Sequence, residues 1–279
     1  MSVVVGIDVG GSTTKIGGFR FDGDKKELIH PFFIHATDPL SSAYGAFGKF
    51  TAENGLSLSD IDRVLMTGVG SAFLKNDIFG RPCGFVSEFE SIGRGGLYLS
   101  GLENCLVVSM GTGTAIVHAK RGEPVRYLGG TGVGGGTLMG LSKLLLKADN
   151  TEHISELAKD GNLSNVDLRI ADITQKNKMS TMPEDMTAAN FGNVSDLASK
   201  SDIAKGILNL VFETVCVSAI FAARSVGVSD IVLTGNLTGF PFCKSKLDDF
   251  HRMYEGVRFT VPDLAPYATV IGTALNGRE

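Results

Sequence analysis

The stretch Val3-Val4-Val5-Gly6-Ile7-Asp8-Val9-Gly10-Gly11-Ser12-Thr13-Thr14-Lys15 decides the fold. Val3, Val4, Val5 and Ile7 form a short apolar run rich in β-branched side chains, the pattern of a buried strand. An acid, two glycines, three hydroxyls and a lysine follow closely. Glycine lets a backbone turn tightly and bring its N–H groups near a ligand. The hydroxyls and the Lys15 ammonium can donate to phosphate oxygens. Asp8 can hold a hydrated Mg²⁺, directly or through water, since that ion takes one or two carboxylates and keeps several waters. The segment reads as a β-hairpin folded over the phosphates of a nucleotide. An ordinary Gly-rich hairpin would look similar, so the case rests on what recurs downstream.

The pattern recurs at Cys105-Leu106-Val107-Val108-Ser109-Met110, a strand followed by Gly111-Thr112-Gly113-Thr114 and a second strand from Ala115. Two such hairpins suggest two similar lobes closing on one phosphate chain. A third run, Gly129-Gly130-Thr131-Gly132-Val133-Gly134-Gly135-Gly136-Thr137, leads into leucines at 138, 141, 144 and 145, a helical apolar stripe. Gly132, Gly134, Gly135 and Gly136 would thus open a helix N-terminus, where unpaired N–H groups favour an anion or a polar nucleotide edge. No Gly-Lys-Ser/Thr closes the run, so it is not a P-loop. It also lacks the strand and ribose-binding acid of a dinucleotide fingerprint. A fourth segment, from Asp230 to Thr234, is a strand ending in Gly235-Asn236, a place for backbone contact with an adenosine.

On these residues the chain resembles the actin-like ATPases, the superfamily of acetate and sugar kinases, heat-shock ATPases and actin. More narrowly, it is similar to the type II pantothenate kinases. Phe85-Val86-Ser87-Glu88-Phe89-Glu90 resembles that family's segment bearing its catalytic glutamate. The 111–114 turn matches its second phosphate loop, and 129–141 its Gly-rich loop and following helix. Asp185-Met186-Thr187-Ala188-Ala189-Asn190-Phe191-Gly192 is a run shared with this family and not with sugar kinases. The resemblance covers nearly the whole chain. It implies two actin-like, RNase H-like α/β lobes, each a mixed sheet flanked by helices, with a nucleotide cleft between; residues 1–103 and 104–279 are the expected lobes. It also implies transfer of the ATP γ-phosphoryl group to the primary hydroxyl of pantothenate, the first step of coenzyme A biosynthesis, and a homodimer.

Phosphoryl transfer is mostly positioning and charge neutralisation, so backbone loops, Mg²⁺ and one carboxylate can suffice. ATP is expected on Asp8, Gly10, Gly11, Ser12, Thr13, Lys15, the 111–114 turn, Gly132, Gly134, Gly135, Gly136, Gly235 and Asn236, with Mg²⁺ on Asp8. Glu88 is the candidate base for the acceptor hydroxyl, with Glu90 second; an acid at Glu88 also suits the first turn of a helix. Glu88, Ser109, Arg126 and Tyr127 are the residues expected at the acceptor. Here the chain departs from the family, whose members carry an arginine immediately before the apolar residue that precedes the Gly-rich loop. This chain has Tyr127 there and Arg126 just before it. A strand alternates faces, so either a bulge or side-chain reach brings Arg126 to the carboxylate, or substrate binding is altered.

Rival readings are a sugar or amino-sugar kinase, an activator ATPase for dehydratases, and a non-catalytic switch driven by ATP. The first normally supplies an Asn-Asp pair to sugar hydroxyls, and none precedes Gly111. The second needs cysteines for a cluster between subunits, and Cys83, Cys105, Cys216 and Cys243 form no obvious pair. Such spacing suits reduced thiols in a cytoplasmic protein. The net charge of −4 offers no electrostatic footprint for nucleic acid or an anionic membrane. The N-terminus has neither the basic region nor the apolar core of a signal peptide. Lys205, Glu213 and Arg224 interrupt the most membrane-like stretch, 203–226, which reads instead as a long helix, buried or paired with a second copy of the chain.

Overall fold

The valines that open the chain form β1 (Ser2–Val9), in which Val4, Val5, Ile7 and Val9 are fully buried. It pairs antiparallel with β2 (Thr13–Asp22), which pairs antiparallel with β3 (Lys25–His35). Helix α1 (Pro39–Glu53) follows, capped by the Asp38 carboxylate, which accepts the Ser41 N–H at 2.7 Å. Pro39 stands in its first turn, where a missing N–H forfeits no helical bond. α1 lays Ala43, Ala46, Phe47 and Phe50 on the β1 side chains Val3, Val5, Ile7 and Val9. β4 (Ile61–Thr67) runs parallel to β1, and after β5 (Asp77–Ile78), β6 (Arg81–Phe85) runs parallel to β4. The sheet order is β3-β2-β1-β4-β6-β5. Helix α2 (Glu88–Ser100) starts after Ser87 and stops at Gly101, in the left-handed region. The computed structural model describes residues 2–11, 13–23, 25–35, 38–73, 77–174 and 183–278. Ser12 and most of the polar 176–183 loop lie outside them.

The second sheet repeats the plan. β7 (Asn104–Met110), β8 (Thr114–Lys120) and β9 (Arg126–Thr131) form an antiparallel meander. α3 (Gly135–Leu146) and α4 (Thr151–Lys159) follow, then β10 (Leu168–Arg169), α5 (Ile170–Thr174) and β11 (Thr187–Ala189), which pairs with β10. After α6 (Lys200–Val226), β12 (Asp230–Thr234) runs parallel to β7. α7 (Pro241–Met253) then leads to β13 (Arg258–Thr260), parallel to β12, and α8 (Ala268–Leu275) is last. The order β13-β12-β7-β8-β9 again joins a three-stranded antiparallel meander to parallel strands reached by helical crossovers. The chain is thus α/β, with two mixed sheets flanked by helices.

Two helices lie between the sheets and fix the site. α2 packs Ile92 and Leu97 on Val107, Val117 and Ala119 of the second sheet. α8, although it follows every strand of the second sheet, packs Val270, Ile271 and Ala274 on Val4, Phe19 and Leu65 of the first. α6 covers the far face of the second sheet, with Val211, Phe212, Val215 and Ala219 in one cluster with Leu106, Val108 and Met110. Its start is a reciprocal cap. Ser199 Oγ accepts the Asp202 N–H at 3.1 Å, and the Asp202 carboxylate accepts the Ser199 N–H at 2.8 Å. α6 has the length and hydropathy of a membrane span, but most of it is buried within the protein, as the reading of a buried or paired helix expects.

Candidate active site

A strand pair places the first charged groups. In the β1–β2 hairpin Asp8 stands opposite Lys15, and across the parallel pair it stands beside Thr67. Cross-strand partners project from the same face, here the face covered by α8. The buried Lys15 ammonium donates to the Pro266 carbonyl at 2.7 Å, just before α8. Gly68 follows β4 at φ +86°, where a Cβ would stand 2.7 Å from Asp8 Oδ1. Only glycine suits both that backbone and that contact. Glu88, the first residue of α2, completes the group. Burial pushes its carboxyl above the ordinary 4.5; the Asp8 charge adds to the push and Lys15 opposes it. Burial likewise raises Asp8, against the pull of Lys15. It lowers Lys15, against the pull of Asp8 and Glu88. Three ionisable side chains from β1, β2 and α2 therefore share one electrostatic environment.

Both Gly turns reach this group. Gly10 N–H donates to Thr13 O at 3.0 Å, and Gly111 N–H to Gly113 O at 2.9 Å, so the two turns close in similar ways. Together they border a cleft of about 680 Å³, lined by Asp8, Gly10, Gly11, Thr13, Lys15 and Glu88 from one side. Ser109, the 111–114 turn, Tyr127, Gly132, Gly235 and Asn236 line it from the other. Its volume suits a small-molecule site. Gly235 has φ +90°, and a Cβ there would meet Met110 O at 2.5 Å, so the β12 end can approach the second turn only as glycine.

The Gly-rich run behaves differently from its sequence reading. Gly132 lines the cleft, whereas Gly134, Gly135 and Gly136 stand behind the second turn. Gly135 N–H donates to Gly111 O at 2.9 Å and Gly136 N–H to Thr112 O at 2.8 Å. The first N–H groups of α3 are thus engaged by the turn itself and hold its shape. β9 runs through Gly129, Gly130 and Thr131, with Gly130 paired to Ala115 and Thr131 to Thr114.

Arg126 is not brought to the cleft. It pairs with His118 on the opposite sheet face from Val117 and α2. The strand does contain a bulge, but the register slips at Leu128, after Arg126, and leaves that side chain where it was. Tyr127, opposite Val117, faces the cleft. Glu90 is engaged elsewhere: its carboxylate accepts Arg94 Nε at 2.6 Å and the Val125 N–H at 3.2 Å.

A model for the family described as Fumble matches residues 88–242. A type II pantothenate kinase of Bacillus cereus is 31% identical over 247 residues, 85% of this chain and 84% of that one. Another, of Oceanobacillus iheyensis, is 36% identical over 239 residues, 83% of each. The chain belongs to the type II pantothenate kinase family. Its fold is that of the actin-like ATPases. The structure of (R)-2-hydroxyglutaryl-CoA dehydratase component A from Acidaminococcus fermentans superposes with a TM-score of 0.68 at 19% identity, covering 99% of this chain and 97% of that one.

The run that set this family apart from sugar kinases, 185–192, lies on α6 and not in the cleft. Asn190 Nδ2 donates to Glu213 Oε2 at 2.9 Å, and Phe191 N–H to Asp167 Oδ1 at 2.8 Å. The buried Asn209 amide donates to Asp167 Oδ2 at 2.8 Å. These residues clamp a small β-ladder to the middle of α6. Reading the sequence missed Gly68, Val69, Ala115, Gly130, Thr131 and Thr269 as cleft residues. Thr67-Gly68-Val69-Gly70 after an apolar run repeats the strand-to-glycine signal of the other turns. Nothing local marks Thr269, which the return of α8 brings in. Cys105, Cys216 and Cys243 are buried and Cys83 half-buried. Burial pushes the Cys83 thiol to about 11 and those of Cys105 and Cys243 to about 12. Such thiols are poor metal or cluster ligands.

Proposed function

We propose that this protein transfers the γ-phosphoryl group of ATP to the primary hydroxyl of pantothenate, as the names of its relatives indicate for them. The observation that carries the reading is Asp8, Lys15 and Glu88 facing one another between two Gly turns in one cleft. The free turn N–H groups and the Thr13 and Thr112 hydroxyls bind the phosphates, while the Thr114 hydroxyl donates to the Val133 carbonyl and holds the turn. Glu88 accepts the hydroxyl proton as the new P–O bond forms and the bond from the γ-phosphorus to its bridging oxygen breaks. Its raised proton affinity strengthens it as a base. Asp8 fits a magnesium site: a carboxylate pushed toward protonation by burial, with a second carboxylate nearby, gains from a divalent cation. Bound there, Mg²⁺ would neutralise phosphate charge.

The reading is tested by ADP release with ATP and Mg²⁺ over pantothenate, pantetheine, N-acetylglucosamine, glucose and glycerol. Turnover that depends on a pantothenate-type alcohol supports it. ATP binding without acceptor-dependent turnover would leave a nucleotide-driven switch, and turnover of a sugar alone would leave a sugar kinase. The acidic limb of the kcat/KM profile, which follows the free enzyme, is expected to fall above pH 4.5, since Glu88 must be ionised and its proton affinity is raised. A limb at or below that value would remove Glu88 from the role.

The proposal extends to assembly in the cytoplasm as a homodimer through α6. Leu210, Thr214, Val217 and Phe221 recur at helical spacing and stay partly exposed, Phe221 by 62%. Val217 packs against the core that the rest of α6 builds, while Leu210 and Phe221 are not part of it. Light scattering at micromolar concentration is expected to give twice the 29.5 kDa chain mass, and Phe221→Asp to halve it. A monomeric wild-type protein would reject the interface.

A further inference from the structure

Phe89 follows the candidate base on the first turn of α2, and its ring lies on that of Tyr127, with centroids 4.1 Å apart and planes 19° apart. Strand alternation alone would put residues 127 and 130 on opposite faces. The bulge at Leu128 puts both on the cleft face, opposite Val117 and Ala115. The Tyr127 ring therefore lies along β9, its hydroxyl over Gly130, where a Cβ would stand 3.1 Å from it. Tyr127 is 48% and Phe89 37% exposed. The two rings form an open aromatic wall between Glu88 and the second turn.

Charge in the cleft points the same way. Among the described residues that line it, the charged groups are Asp8, Glu88 and Lys15. Lys15 is held by the Pro266 carbonyl and faces both acids. Arg126 is on the other side of the sheet. A carboxylate entering beside the aromatic pair would face the Asp8 and Glu88 carboxylates with Lys15 already shared between them, an unfavourable placement of like charges. A secondary amide is neutral, keeps a donor and an acceptor for a tyrosine hydroxyl, and can lie flat on an aromatic face whose polar tip stays wet.

We infer that the preferred acceptor is a pantothenate derivative whose carboxyl is capped as a neutral amide with an apolar or thiol-bearing extension, and that Tyr127 sets this preference. The inference rests on the phosphoryl-transfer reading above. Tyr127 contacts the amide; Phe89 is a positioning residue that keeps the tyrosine ring flat.

The test compares kcat/KM for pantothenate, pantetheine and the N-pentyl amide of pantothenate. The wild type is expected to favour both amides by about tenfold or more, the scale of one like-charge contact near a protein surface, with most of the difference in KM. Tyr127→Arg supplies a bidentate carboxylate partner and should reverse the order. Phe89→Ala should raise KM for the amides more than it lowers kcat. ATP affinity, measured by calorimetry on each variant, identifies any that fails to fold, and the wild-type comparison stands without them. Equal or better use of pantothenate by the wild type overturns the inference and leaves the kinase reading intact. Absence of turnover with all three, in protein that binds ATP, overturns both.

Discussion

Replacing Glu88 by glutamine should lower turnover by about 10²–10⁴-fold, the usual contribution of a general base, while ATP still binds. Glutamine keeps the shape and the start of α2 but cannot take a proton at neutral pH. The Asp8 and Lys15 charges would remain, so calorimetric titration with ATP and Mg²⁺ should still show binding. The acidic limb of the kcat/KM profile should change with the substitution, because Glu88 is the group whose ionisation it follows. Near-normal turnover would exclude Glu88. Glu90 would be a poor replacement, since its carboxylate already holds Arg94 and the Val125 N–H. Asp8 would then be the acid left in the cleft, and Asp8→Asn the variant to measure.

Much of this site was legible because the elements that build it are short and local. Val3 to Ile7 and Cys105 to Met110 announce strands, and glycines with hydroxyls directly after each announce turns over an anion. The apolar stretch 203–226 located α6 to within a few residues. What escaped depends on contacts distant in sequence. β6 is hidden in Arg81-Pro82-Cys83-Gly84-Phe85, a stretch with a proline and a glycine that becomes a strand only beside β4. The engaged N–H groups of α3 could not be foreseen, since their partners are the carbonyls of Gly111 and Thr112. The faces of Arg126 and Tyr127 depended on where a bulge fell. The sequence raised a bulge as one possibility; its position at Leu128 is a property of the folded sheet. The return of α8 to the first sheet, which supplies Thr269 and the Pro266 carbonyl, has no local signature at all.

That return passes through a crossing where substitution should have the largest effect on stability. At Gly95 of α2 a Cβ would lie 1.8 Å from the Ala268 carbonyl oxygen, and at Gly272 of α8 it would lie 1.9 Å from the Ser91 carbonyl oxygen. Both obstacles are backbone, so no side chain can swing aside and the helices themselves must part. The buried Ser91 and Thr273 hydroxyls, 3.0 Å apart, and the packing of Tyr98 and Leu99 near Val270 and Ile271 would part with them. Helix propensity alone favours alanine over glycine by about 1 kcal/mol. Overpacking costs about 1–3 kcal/mol and at times more, and a backbone clash belongs at the upper end. Gly272→Ala is therefore expected to destabilise by about 2 kcal/mol or more after the propensity gain, and Gly272→Val further. Gly48→Ala is the matched control: it sits inside α1, and a Cβ there meets nothing within 4 Å. It should stabilise by about 0.5–1 kcal/mol. Thermal melts of the three proteins check the order, and a Gly272→Ala protein as stable as the wild type would show that α2 and α8 do not meet this closely. Turnover carries a second reading of the same contact. α2 begins with Glu88, and the segment leading into α8 holds Lys15, so spreading the two helices moves the base away from the lysine that shares its charge. Activity of Gly272→Ala measured well below its melting point should therefore fall, where that of Gly48→Ala should not.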